Sequence, residues 1–240
     1  MALDSKALFL KMFCTRFGSH VRTDGSTSWR PLSQFHLISD EDVLASIARE
    51  SKAYRALVVD KKESFLILQF NSAGRDADRE TWKNLRAALQ TAGLPGAKLF
   101  QTLENATYQV FINFSKTADI LPLSRGLTNH LVLAGITNVE VLRPGNHFIL
   151  PLQEGYRWMN DDVLPVIARH EMSEVMALNF FMGEVNKTTT CPERLLGQFA
   201  DYLAEEAKKE LLAIVPPEAA AADVTSGGKP KRKDRKLRAL

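Results

Sequence analysis

The stretch Phe65-Leu66-Ile67-Leu68-Gln69-Phe70-Asn71 reads as a β-strand that ends with two carboxamides one residue apart. Residues i and i+2 of a strand point to the same face, so Gln69 and Asn71 project together. A metal-dependent enzyme would place two carboxylates at such a spot. An amide nearly matches its acid in shape, but it carries no negative charge and is a poor Mg²⁺ ligand. If the strand is an old catalytic one, its chemistry is neutralised with little change of shape.

The rest of the chain is that of a globular protein with a real core. Its 240 residues are 45% hydrophobic and 25% charged, ordinary values for one large domain or a domain with an appendage. No apolar run approaches the roughly 18 residues of a membrane span. The start, Met-Ala-Leu-Asp-Ser-Lys, lacks the layout of a secretory signal. Two distant cysteines, Cys14 and Cys191, suggest neither a disulfide framework nor a zinc site. These features lead to the expectation of a cytoplasmic protein with reduced thiols, no metal, no cofactor and no membrane partner.

Charge is distributed unevenly. Lys229, Lys231, Arg232, Lys233, Arg235, Lys236 and Arg238 crowd the last twelve positions beside one acid, Asp234. The whole-chain net charge of +3 therefore combines a tail of +6 with a body, residues 1–228, of −3. Such a tail is attracted to nucleic acid without sequence preference and loses affinity steeply with salt. A solubilising or localising tail has the same composition.

Local signals organise the body. Leu8, Met12 and Phe13 have helical spacing within residues 4–18, and a Gly/Ser/Thr-rich loop or short hairpin follows to Ser28. Ser39 is a candidate N-cap for a helix burying Val43, Ile47 and Ala48. Ala56–Val59 and Phe65–Phe70, joined by Asp60-Lys-Lys-Glu-Ser, read as a hairpin. An amphipathic helix with Trp82, Leu85 and Leu89 runs from Asp76 to Ala92 and closes at Gly93. Lys98–Leu103 and Thr107–Phe114 form a second strand pair, and Asp119–Ala134 a helix ending at Gly135. Val139–Leu142 and Phe148–Leu152 read as a strand pair across Arg143-Pro-Gly-Asn.

This order predicts an α+β fold with a mostly antiparallel sheet. Residues 1–55 are expected as an N-terminal helical and loop segment, 56–160 as the α+β core, and 161–215 as a helical C-terminal module. Residues 216–240 are expected as a disordered linker and basic tail.

Residues 8–153 resemble the archaeo-eukaryotic primase superfamily, in particular the primase/polymerase domains of bacterial mobile and conflict elements. Phe13-Cys14-Thr15-Arg16-Phe17 is similar to their opening Phe–Cys/Gly–Arg segment. Phe65–Asn71 falls on Phe-Leu-Ala-x-Asp-Phe-Asp position by position, and Gly93-Leu94-Pro95 on Gly-hydrophobic-Pro. Tyr108–Phe114 occupies the strand of type His-Val-Trp-hydrophobic-x-Phe. The most specific match is Gly145-Asn146-His147-Phe148-Ile149-Leu150-Pro151-Leu152-Gln153, against Gly-Asn-x-hydrophobic-x-Leu-Pro-Leu-Gln. The resemblance implies a primase-like, RRM-like core with flanking helices.

The departures carry the functional implication. In the family, carboxylates hold two divalent ions that activate a 3′-hydroxyl, and a histidine contacts the nucleotide's phosphates. Here the two strand acids stand as Gln69 and Asn71, and the histidine as Gln109. Glu140 is the possible remnant of the third acid, and one carboxylate does not hold two Mg²⁺ ions. The Gly-rich turn before the histidine is replaced by Leu103-Glu-Asn-Ala-Thr-Tyr. Arg143 and His147 flank the Pro144-Gly145-Asn146 turn and are candidate phosphate contacts, or parts of a turn that only closes the strand pair. Tyr108, Phe111 and Trp158 stack on bases or fill the core.

Rival catalytic readings are weaker. Asp76, Asp78 and Glu80 fit an acidic helix N-terminus better than a metal cluster. His170-Glu-Met-Ser-Glu174 lacks the second histidine of a zinc helix. Ser124 and Cys191 have no base at a recognisable spacing.

The expectation is a catalytically inactive primase-like protein that binds nucleic acid, through Arg143, His147 and the basic tail. It would serve as a non-catalytic subunit of a replication, mobile-element or defence complex, with a protein partner or as a homo-oligomer. The alternatives are a structural adaptor without nucleic-acid affinity and an active nucleotidyltransferase with relocated ligands.

Overall fold

The computed structural model describes residues 4–214, apart from 24, 27, 33–36, 51–52 and 103–106. The linker and the seven basic residues from Lys229 to Arg238 lie outside the described residues, as does most of the Leu103–Tyr108 turn. Residues Met1–Leu203 form one unit and Ala204–Leu240 a second.

The chain opens with α1 (Ser5–Met12), β1 (His20–Thr23), β2 (Arg30–Pro31) and α2 (Asp40–Ile47). Next come β3 (Ala53–Val58), β4 (Lys62–Asn71), α3 (Arg75–Thr91), β5 (Leu99–Gln101), β6 (Thr107–Asp119) and α4 (Ile120–Leu133). The short strands β7 (Glu140–Val141), β8 (His147–Ile149), β9 (Arg157–Met159) and β10 (Pro165–Ala168) precede α5 (Glu174–Lys187), α6 (Pro192–Gln198) and α7 (Ala200–Ile214). The strands make two sheets, ordered β2-β1-β3-β8 and β10-β9-β5-β6-β4-β7. All their strand pairs are antiparallel. The class is α+β, as the element order predicts.

Two expected hairpins are instead crossings between the sheets. β3 and β4 do not pair: β3 joins β1 and β8, while β4 joins β6 and β7. The Asp60–Ser64 connection carries a buried carboxylate, Glu63, which accepts hydrogen bonds from the Thr15 hydroxyl at 2.8 Å and the Asp60 N–H at 3.2 Å. That anchorage holds the chain as it changes layer. Likewise β7 pairs with β4 and β8 with β3, so Arg143-Pro-Gly-Asn also changes sheet. The turn closes by Asn146, whose side-chain oxygen accepts the Arg143 N–H at 2.7 Å, and by Gly145 at φ +92°. Only a residue without Cβ takes that angle readily.

A cluster of phenylalanines joins the layers. Phe13 lies 5.3 Å from Phe65 on β4 and 5.9 Å from Phe148 on β8, and Phe65 lies 5.7 Å from Phe148. Phe9 of α1 and Phe181 of α5 complete the cluster, each fully buried. The other face of the long sheet turns Leu66, Leu68 and Phe70 toward α3 and α4, and α3 buries Trp82, Leu85 and Leu89.

The most specific sequence block proves architectural at its end. Gln153 accepts the Arg55 N–H at 2.6 Å and donates to the Arg55 and Leu150 carbonyls, both at 2.8 Å. A buried side-chain amide here does the work of a paired backbone. Arg169, also buried, donates to the carbonyls of Leu152, Met172 and Ile47. The region after Asp161 is not wholly helical: β10 pairs with β9 before α5 begins.

Candidate functional site

Lined by residues of both sheets, Phe148 of the phenylalanine cluster among them, a cleft of about 430 Å³ opens. One wall comes from the long sheet, in strict cross-strand register. Gln69 of β4 sits opposite Gln109 of β6 on one side and opposite Glu140 of β7 on the other. Asn71 sits opposite Thr107. Directly opposite residues on antiparallel strands bring their side chains within reach of each other. The Gln69 side-chain Nε2–H donates to Glu140 Oε2 at 3.2 Å, and the Thr107 hydroxyl donates to Asn71 Oδ1 at 3.0 Å. Sequence had singled out Gln69, Asn71, Gln109 and Glu140; the structure brings all four together.

Gln109 differs from its neighbours. It is fully buried at the floor of the cleft, and neither amide atom has a hydrogen-bond partner among the described residues.

The opposite wall belongs to the short sheet: His20 of β1, Ala56 of β3, and His147, Phe148 and Ile149 of β8, with Trp29 beside them just before β2. His147 Nε2 donates to the Gly18 carbonyl at 3.0 Å, which fixes the proton on that nitrogen because a carbonyl only accepts. The His20 ring stands edge-on to the His147 ring, with centroids 3.9 Å apart. Burial pushes the His20 pKa down, the neighbouring His147 adds to the fall, and the Gly18 backbone partly offsets it. Arg22 lies over the Trp29 ring at 5.0 Å and over Tyr54 at 5.3 Å, a cation–π contact that holds the indole against β1.

The cleft lining contains no Lys, Arg, Asp or Glu among the described residues. Among the described residues, no group of three His, Cys, Asp or Glu side chains is placed to hold a metal ion. What the described walls offer is carboxamides, a hydroxyl, two imidazoles and aromatic surface.

Other residues singled out in the sequence fall elsewhere. Arg143 is exposed on its turn and does not line the cleft, whereas His147 does. Tyr108 is on the opposite face of the sheet, packed on Phe70 at 4.9 Å, with its hydroxyl donating to Asp78. Phe111 and Trp158 are buried in the core. Asp78 is buried, held by Ser72, Ala73 and Tyr108, while Asp76 and Glu80 are exposed, so the three acids do not converge. His20 and Trp29 were missed. They lie in or beside the Gly/Ser/Thr-rich stretch, and no local signal aims them across the molecule.

No protein-family profile matches the chain, and no curated protein matches it in sequence. Solved structures similar to it include the catalytic domain of primase RepB′, determined in complex with initiator DNA. That similarity has 13% identity over 85% of this chain and 96% of that one, with a TM-score of 0.44. Another is the AEP domain of the primase-polymerase of cyanophage S-2L, at 12% identity over 74% of this chain and 98% of that one, with a TM-score of 0.37. Among the described residues, no helix is long and apolar enough to cross a membrane.

Proposed function

We propose that this chain is a primase-like protein that binds nucleic acid without polymerising it, as a subunit of a replication or mobile-element complex. The observation that carries the reading is the row Gln109–Gln69–Glu140 with Asn71 beside it: one carboxylate among three carboxamides. Two-ion phosphoryl transfer needs several anionic oxygens around the metals. Here Glu140 is already hydrogen-bonded to Gln69, and the adjoining amides supply no charge. The same neutrality favours binding, because an empty carboxylate cluster would repel the strand. The basic tail adds affinity that is independent of sequence.

The test is a mobility-shift titration of the full chain with single-stranded and duplex DNA across a salt series. Binding at low salt that weakens steeply with salt is expected. Failure of both nucleic acids to bind at low salt overturns the reading. A second reading, a protein-binding adaptor, is favoured by the exposed apolar side chains Val166, Val175, Met176 and Phe180. It is checked by co-purification of a stoichiometric partner whose capture is insensitive to nuclease.

A further inference from the structure

We propose that the part of the nucleic acid entering the cleft is an unpaired nucleobase, its hydrogen-bonding edge read by the Gln109 carboxamide and its face stacked on Trp29. This inference rests on the nucleic-acid-binding reading above and names the chemistry the cleft selects.

The lining argues against phosphate as the occupant. Among the described residues, no Lys or Arg lines the cleft, and His20 is held toward its neutral form by burial. A phosphate moved there from water would lose hydration with no lysine or arginine among the described lining residues to compensate it. A heteroaromatic base is uncharged, planar and edged with donors and acceptors. The volume of about 430 Å³ falls in the range of small-molecule sites.

Gln109 supplies the second argument. A carboxamide presents one donor and one acceptor side by side, the pattern that pairs in bidentate fashion with adenine N6 and N7. Both of its polar atoms are buried without a partner among the described residues, an arrangement that natural cores rarely tolerate and that asks for a reason. Turning the side chain up into the cleft breaks no hydrogen bond, because it makes none. Its neighbours are otherwise engaged, Gln69 with Glu140 and Asn71 with Thr107. Trp29 is already braced by Arg22 at 5.0 Å, so a stacking surface is in place before the base arrives.

The test is fluorescence anisotropy with the full chain, comparing an oligodeoxyadenylate with an abasic strand of the same length. The abasic strand keeps every phosphate and loses every base. The expected result is about hundredfold weaker binding of the abasic strand, tenfold for the lost hydrogen bonds and tenfold for the lost stacking. Gln109→Met, close in size but without the carboxamide, is expected to weaken the adenylate strand by about tenfold and leave the abasic strand unchanged. Trp29→Ala is expected to do the same, with Trp29→Phe restoring part of the loss. A thermal melt of each variant separates lost folding from lost recognition. Equal affinity for the two strands, or an adenylate affinity untouched by Gln109→Met in a folded protein, overturns the inference and leaves the function reading standing. If neither strand binds, both fall together.

Discussion

Gln69 and Gln109 face each other directly across β4 and β6, yet only Gln69 has a hydrogen-bond partner, Glu140, among the described residues. Two identical side chains in one register therefore have opposite energetic standing. The first ties β4 to β7. The second is a buried amide whose polar atoms gain nothing from the fold.

That contrast predicts the effect of substitution on stability. Gln109→Met removes two unsatisfied polar atoms while nearly keeping volume, so it should stabilise the protein by about 1–3 kcal/mol. Urea unfolding monitored by circular dichroism measures this. Paired with the expected loss of adenylate binding, a gain in stability marks a residue kept for recognition.

Gln153 should behave in the opposite way. Its three hydrogen bonds add to the backbone bond from Leu150 N–H to the Arg55 carbonyl and extend that pairing. Gln153→Leu removes all three of these bonds and should destabilise the protein by about 2–3 kcal/mol. The same unfolding experiment reads it, and the midpoint should fall with little change in slope.

Gly126 tests the packing of the C-terminal helices. A Cβ at this position in α4 would meet three Phe199 side-chain atoms, Cβ and Cδ2 at 2.6 Å and Cγ at 2.7 Å. Phe199 is buried and sits between α6 and α7, so it has little room to yield. Gly126→Ala should cost about 1–3 kcal/mol despite the better helix propensity of alanine. A matched increase in stability would show that α4 and Phe199 do not pack as described.

Glu63 gives a pH dependence with a defined sign. Burial raises its carboxyl pKa above the ordinary 4.5; the Thr15 and Asp60 hydrogen bonds pull it down, and the Asp60 charge adds to the rise. The folded protein therefore holds this proton more tightly than the unfolded chain does. The stabilisation is fully present below 4.5 and is lost as pH rises through the folded-state value. Glu63→Gln cannot titrate. The unfolding free energy of that variant relative to the natural protein should rise in its favour over this window and then level off. A difference that stays flat with pH contradicts the buried placement of Glu63.

How much was legible in the sequence depended on whether a signal was local. Ser39 caps α2 in a reciprocal box with Asp42, Asp119 caps α4, and α3 runs within a residue of its expected bounds. Those signals act within one helical turn. The Asp60–Ser64 and Arg143–Asn146 turns were equally clear as turns, but a turn signal does not say which sheet the chain enters next. Both crossings depend on tertiary anchors, Glu63 on Thr15 in one case and the pairing of β8 with β3 in the other. Gln69 and Asn71 share a face by strand geometry alone, which the sequence fixes only once the strand is granted. Their meeting with Gln109 and Glu140 needed the registers of β4 with β6 and β7. The facing wall was out of reach, because His20 and Trp29 approach from a sheet whose strands are short and rich in polar residues.

The central claim is binding without polymerisation, and one reaction addresses it. A labelled primer–template is mixed with the full chain, Mn²⁺ and nucleoside triphosphates, then divided between a native and a denaturing gel. The account predicts a primer that is shifted on the native gel and unextended on the denaturing gel. A primer extended above the protein-free control would contradict it.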